Sequence, residues 1–228
     1  DMGSHNITLS TSFESISNCT FNGNNHTIAN YTLSNKQYAG LLPNAIRVTV
    51  KNLTLKNANI TAVNDGSNNA YAGGFIGRAY GTNVVENCTL ENSIVQGINK
   101  VGGIAGFQAE NGISIRKCTV KGSTIKVDTE NQEYGQCGGI LGYIGSVAVA
   151  NEVSGNFIIN TKVEAPANTN IGEEHRKSSI CVGTLQGVKG QSLVIDMPFS
   201  YIQSSTFNGK TIDKTEYMGL LGGCILYT

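Results

Sequence analysis

At 228 residues the chain is long enough for one large domain or two small ones, and its 16 Lys and Arg balance 16 Asp and Glu. A net charge of zero leaves no electrostatic footprint for nucleic acid or an anionic membrane, and no apolar run reaches the roughly 18 residues of a membrane-spanning helix. Only 14% of residues are charged, and polarity comes instead from Asn, Thr, Ser and 28 Gly, a balance common in extracellular β-rich chains.

Asp1–His5 reads as a cloning remnant, and residues 6–228 read as one domain that forms part of a longer chain. The opening turn holds Ile7-Thr8-Leu9-Ser10, alternating at period 2. A glycine motif then recurs: Tyr38-Ala39-Gly40-Leu41-Leu42, Ala72-Gly73-Gly74-Phe75-Ile76-Gly77, Val101-Gly102-Gly103-Ile104-Ala105-Gly106 and Cys137-Gly138-Gly139-Ile140-Leu141-Gly142. Cys181-Val182-Gly183-Thr184-Leu185-Gln186 and Tyr217-Met218-Gly219-Leu220-Leu221-Gly222 complete the series. A second segment follows each motif by 13 to 15 residues, as in Asn52-Leu53-Thr54-Leu55, Asn87-Cys88-Thr89-Leu90 and Lys117-Cys118-Thr119-Val120. A third, such as Ser93-Ile94-Val95, comes about six residues later.

Three short strand-sized segments, repeated with their offsets kept and without helical period, predict an all-β chain: a right-handed parallel β-helix of about six coils. Equivalent residues of successive coils then stack about 4.8 Å apart. A buried stack must be apolar, and Cys19, Leu53, Cys88, Cys118, Val153 and Met197 are expected to form one such column. Cys137 and Cys181 are expected in another. Stacked side chains point in parallel, which suits disulfide geometry poorly, so the thiols are expected buried and unjoined.

The glycine runs resemble the GLUG motif of bacterial surface proteins, and the opening Phe21-Asn22-Gly23-Asn24-Asn25-His26-Thr27-Ile28 is similar to the way such regions begin. The resemblance implies β-helical stalks and adhesin-like ectodomains at the cell surface or in secreted proteins. Some accompany enzymes, immunoglobulin-cleaving proteases among them, as non-catalytic flanks. It carries over no catalytic residue.

Length variation gathers after the third segment, at 61–71, 96–100, 126–136, 160–180 and 203–216, so insertions are expected along one edge. Acidic residues collect in two of these loops: Asp128, Glu130 and Glu133 beside Tyr134, and Glu173 and Glu174 beside His175 and Arg176. These eight are the candidate ligand contacts. Their first reading is a non-catalytic adhesin or stalk module presenting its edge loops to a host glycan or protein. The alternative is a polysaccharide lyase or hydrolase with its site in 126–136 and 160–180, chemistry that needs paired carboxylates or acid-bound calcium. Tyr38, Tyr71, Tyr80, Phe107, Tyr134, Tyr143 and Tyr217 offer either sugar platforms or covers for the coil edge. No phosphate-loop Lys-Ser/Thr follows the glycines and no Cys or His spacing suits zinc, so no cofactor or metal is expected. Seven Asn-x-Ser/Thr sequons follow from an Asn- and Thr-rich composition, and several fall at turns. The apolar Gly223–Thr228 segment is expected to be covered by further coils or a second copy.

Overall fold

The computed structural model describes residues 7–9, 15–64, 66, 69–128, 135–145, 151–165, 181–187, 195–196, 201–207, 210–214 and 224–226, and none of these is helical. One turn of the chain runs through Tyr71–Gly73, Ile76–Tyr80, Asn83–Glu91 and Ile94–Gly97, and re-enters at Lys100–Gly102, in parallel register on Tyr71–Gly73. The remaining segments repeat in the same way: Ile76 pairs with Ala105, Val95 with Ile125, and Asn83–Glu91 with both Ile113–Arg116 and Thr119–Lys121. Among the described residues the strands form sheets of sixteen, seven and four. Every pairing among them is parallel except Lys210–Lys214, which folds back antiparallel on Tyr201–Phe207. This is a parallel β-helix arrangement. The turn from Tyr71 to Gly97 holds four strands rather than the expected three, because the Gly73-Gly74 bend splits the motif between two sheets, and the next turn holds five because its long strand is divided at Lys117-Cys118.

That bend is tight because backbones meet across it. A Cβ on Gly106 would lie 2.7 Å from the carbonyl oxygens of Ala72 and Gly77, so the four-stranded sheet packs on the seven-stranded one with no side chain between them. Three further corners per turn use the left-handed backbone region, which asparagine enters more readily than most residues, and Asn18, Arg47 and Asn111 line one of them at φ 54, 53 and 63. Asn52 and Asn87 form a second stack at φ 55 and 51, and Asn30, Asn57, Asn92 and Asn160 a third at φ 57, 52, 49 and 48. The Asn87 side chain donates to Asn52 Oδ1 at 2.8 Å. Four of the sequon asparagines (18, 30, 52 and 87) are therefore corner residues. Asn87 also resets the in–out alternation, so Val85 on one side and Cys88 and Leu90 on the other all point inward.

The core is a set of apolar columns: Leu42, Ile76, Ala105, Leu141 and Val182; Val50, Val85, Ile115 and Val153; and Leu55, Leu90, Val120, Ile158 and Ile202. The expected cysteine column needs correction at both ends. Leu53, Cys88 and Cys118 are in register, but His26 takes the place assigned to Cys19, and Cys19 is exposed. The first strand carries extra residues at Gly23–Asn25, with Asn24 and Asn25 left-handed, and these shift it. Val153 pairs with Ile115, and buried Asn156 comes level with Cys118, accepting from its N–H and donating to the Ile115 carbonyl, each at 2.9 Å. Met197 lies outside the described residues. Gly183 aligns with Gly142 rather than Gly139, so Cys181 follows Ile140 in its column and is not stacked on Cys137. Cys19, Cys88, Cys118, Cys137 and Cys181 are thiols, not disulfides.

Buried polar side chains join one turn to the next. Ser93 Oγ accepts from Ala58 N–H at 2.9 Å, Ser123 Oγ from Ser93 N–H at 3.1 Å, and Ser205 Oγ from Thr161 N–H at 3.1 Å. Each hydroxyl also donates to a carbonyl two residues earlier in its own turn. The corner N–H groups are thus satisfied away from water, where an unpaired donor would cost about 1–3 kcal/mol.

Candidate functional site

Where each turn enters the four-stranded sheet, two columns of outward side chains face one another across the glycine bend. One contains Tyr38, Tyr71, Lys100 and Gln136, and the other Asn44, Arg78, Phe107 and Tyr143. Their first residues sit on short strands that the buried Ala39, Ala72, Val101 and Cys137 hold against the core. The absence of side chains between the glycine backbones brings the two columns close enough for their rings to interleave.

Tyr38 stacks on Tyr71 with centroids 5.4 Å apart, Tyr71 meets Phe107 edge-on at 4.9 Å, and Phe107 meets Tyr143 at 5.4 Å. Two cations lie among the rings. The Lys100 ammonium is 4.8, 5.1 and 4.9 Å from the centroids of Tyr71, Phe107 and Tyr143. The Arg78 guanidinium is 5.4 Å from Tyr38 and 5.7 Å from Tyr80. These are cation–π distances. Lys100 also donates to Asn99 Oδ1 at 3.1 Å, and its burial brings its pKa down from 10.5 to about 8. Burial raises Tyr71 to about 12, so its hydroxyl stays neutral. Among the described residues, neither Lys100 nor Arg78 has a carboxylate within ion-pair distance.

The broad face of the sixteen-stranded sheet handles charge differently. Arg116 bridges Glu86 at 3.1 Å and Glu152 at 3.5 Å, and Glu91 bridges Lys121 at 3.1 Å and Lys56 at 3.3 Å. The Arg116 hydrogen bond holds Glu86 below the usual carboxylate range, and hydroxyls of Ser114 and Ser154 do the same for Glu152. Burial raises Glu91, but Lys121 and Lys56 more than offset it. These carboxylates are fixed as anions in a ladder. Partly exposed pairs of this kind contribute about 0–1 kcal/mol each.

Of the eight candidate contacts from the acidic loops, the structure describes Asp128 alone. Its carboxylate accepts from Gln96 Nε2 at 3.0 Å and its N–H donates to Gly97 O at 2.6 Å. Glu130, Glu133, Tyr134, Glu173, Glu174, His175 and Arg176 lie outside the described residues, as does Tyr217. Among the described residues no three His, Cys, Asp or Glu side chains gather as a metal site. The structure does bring together Tyr38, Tyr71, Phe107 and Tyr143. Tyr71 and Tyr143 are only 7% and 6% exposed, so they act mainly as covers of the edge, while Tyr38, Tyr80 and Phe107 remain half-buried. The sequence reasoning missed Arg78 and Lys100. The signal for them was positional: Lys100 stands immediately before Val101, where the other turns have Tyr38 and Tyr71 before Ala39 and Ala72.

The family model of the GLUG motif matches residues 68–95, which cover Tyr71, the glycine bend and the following strands. The chain is similar in structure to a protein from Bacteroides ovatus provisionally described as an immunoglobulin A1 protease. That likeness has a TM-score of 0.55 at 19% identity and covers 90% of this chain and 67% of the other. At that identity it speaks for the fold alone. No curated protein matches the chain.

Proposed function

We propose that this chain is a non-catalytic module of a secreted or cell-surface protein, a right-handed β-helix of about six coils that binds or presents rather than turns over. The GLUG motif and the extracellular character of the composition support the location. The observation that carries the non-catalytic reading is the pairing of three carboxylates on the broad sheet face: Glu86, Glu91 and Glu152 are tied to Arg116, Lys121 and Lys56 in a coil-to-coil ladder that keeps them ionised. A general acid needs the opposite perturbation, a pKa raised toward neutrality. The neighbour's description as a protease transfers no residue to this chain. The binding edge is the one where the connections after Val63, Gly97, Val127 and Glu164 leave the sheet and where the aromatic seam begins.

The test pairs a glycan array with a polysaccharide turnover panel on the same preparation. Saturable binding without turnover is the expected result. Turnover that disappears in Glu173→Gln or Glu174→Gln would overturn the reading in favour of a carbohydrate-active enzyme.

A further inference from the structure

Among the described residues, no carboxylate lies within 4.0 Å of either cation of the seam; Glu110, in register with Tyr80, is engaged by the Tyr80 hydroxyl instead. Lys56, Arg116, Lys117 and Lys121 each sit within 4.0 Å of a carboxylate, whereas Arg78 and Lys100 are held on aromatic faces. A cation drawn out of water without an anion attracts one, and a ligand carboxylate that reaches it forms charge-assisted hydrogen bonds at low local dielectric. A second observation marks the same place. Gln136, 5% exposed and in register with Lys100, has an Oε1 with no hydrogen-bond partner. Such an orphaned acceptor is satisfied by a hydroxyl donor.

We propose that the seam binds an acidic glycan, through a carboxylate-bearing sugar residue. The carboxylate lies against Lys100 and Arg78, one C–H face of the sugar packs on the half-buried rings of Phe107, Tyr38 and Tyr80, and a hydroxyl donates to Gln136. Two cations spaced among rings suit a ligand that is at once anionic and rich in C–H. A nucleic acid, which gains its affinity from many phosphates, finds too few charges here. This inference rests on the binding-module reading above and names its ligand class.

The intact chain is titrated calorimetrically with trigalacturonate and 3′-sialyllactose, which separate uronic from sialic acid sources. The methyl ester of trigalacturonate and lactose serve as neutral counterparts, and a short poly-glutamate peptide as the non-sugar anion. The expected result is binding of at least one acidic sugar, at least tenfold weaker binding of its neutral counterpart, and a loss of tenfold or more in Lys100→Met and in Arg78→Gln. Lys100→Arg should stay within about threefold of the wild type. Arg78 is part-exposed, so Arg78→Gln keeps the test decisive should Lys100→Met fold poorly. Equal binding of acidic and neutral sugars, wild-type affinity in both variants, tighter binding of poly-glutamate, or no binding of either acidic sugar would each overturn the proposal. The last result leaves the module reading standing if another ligand binds, whereas turnover of the probes sinks that reading and not this one.

Discussion

Gly106→Ala separates the two roles a glycine can play in the repeated motif. Its φ lies outside the left-handed region, so alanine is conformationally allowed there. If backbone freedom were all that mattered, the substitution would stabilise the protein by about 0.4–1 kcal/mol through a narrower unfolded ensemble. Steric contact predicts the opposite sign. The new Cβ would stand 2.7 Å from the carbonyl oxygens of both Ala72 and Gly77, where real Cβ atoms do not go below about 3.0 Å. Both obstacles are backbone atoms on neighbouring strands, so neither can rotate away, and relief means parting Gly106 both from Ala72 in the four-stranded sheet and from Gly77 in its own seven-stranded sheet. Overpacking of this kind costs about 1–3 kcal/mol. Urea unfolding followed by far-ultraviolet circular dichroism measures the change as a lower midpoint at unchanged slope. Gly66→Ala is the control: nothing lies within 4 Å of its Cβ and its φ is +96, so it reports backbone strain alone. A Gly106→Ala protein as stable as the wild type would refute direct backbone contact as the reason for the motif.

Ser123→Ala strands the buried Ser93 N–H, which Ser123 Oγ accepts at 3.1 Å, and should lower stability by about 1–3 kcal/mol; a loss below about 0.5 kcal/mol in urea unfolding contradicts the hydroxyl ladder. Iodoacetamide should label exposed Cys19 in the native protein and leave Cys88, Cys118, Cys137 and Cys181, all 0% exposed, unmodified until unfolding, with burial holding the Cys181 thiol up at about 12. Peptide mass spectrometry reads each site separately, and fast native labelling of any of the four contradicts the packing. Lys100 gives a pH signature whose sign follows from its pKa of about 8 in the folded state against the ordinary lysine value of 10.5 in the unfolded chain. Below pH 8 it is charged in both states and its desolvation opposes folding. From about pH 8 to 10.5 the unfolded state binds more protons, so its contribution to stability rises with pH, by at most about 3 kcal/mol. The effect is read as wild type minus Lys100→Met, because Tyr31 and Cys181, both raised to about 12, act in the opposite direction at alkaline pH in both proteins. A flat difference across that window would refute the caged ammonium.

The architecture was legible because two offsets repeat together, glycine bend to second segment and second to third. Their pairing in Leu53–Cys88 and Ile60–Val95–Ile125 follows directly. The errors fell where a turn gains residues without changing composition. Gly23–Asn25 moved Cys19 out of its column, and Val153, at the right distance along the chain, pairs with Ile115 rather than with Cys118. Register is a property of the ladder, and distance along the chain stands in for it only when every corner has equal length. The site was less legible for a different reason. Acidic loops attract attention in a sequence, whereas Arg78 and Lys100 become a pair only once strands about 20 residues apart are folded onto adjacent columns.

That folding also bears on how the seam would bind. Ala58 N–H is satisfied by Ser93 from the following turn, Val48 N–H by Asn83, Ile113 N–H by Asn151 and Cys118 N–H by Asn156. Each turn therefore completes its own buried hydrogen bonding only when the next is in place, which couples neighbours and fixes their register. Tyr38, Arg78, Lys100 and Tyr143 come from four successive turns, so their spacing is inherited from this coupling rather than from any local loop. Rings and cations held this way have already lost their rotamer freedom in folding. A ligand would pay little to order them, which is the condition under which two charge-assisted bonds and a stacked face suffice for measurable affinity.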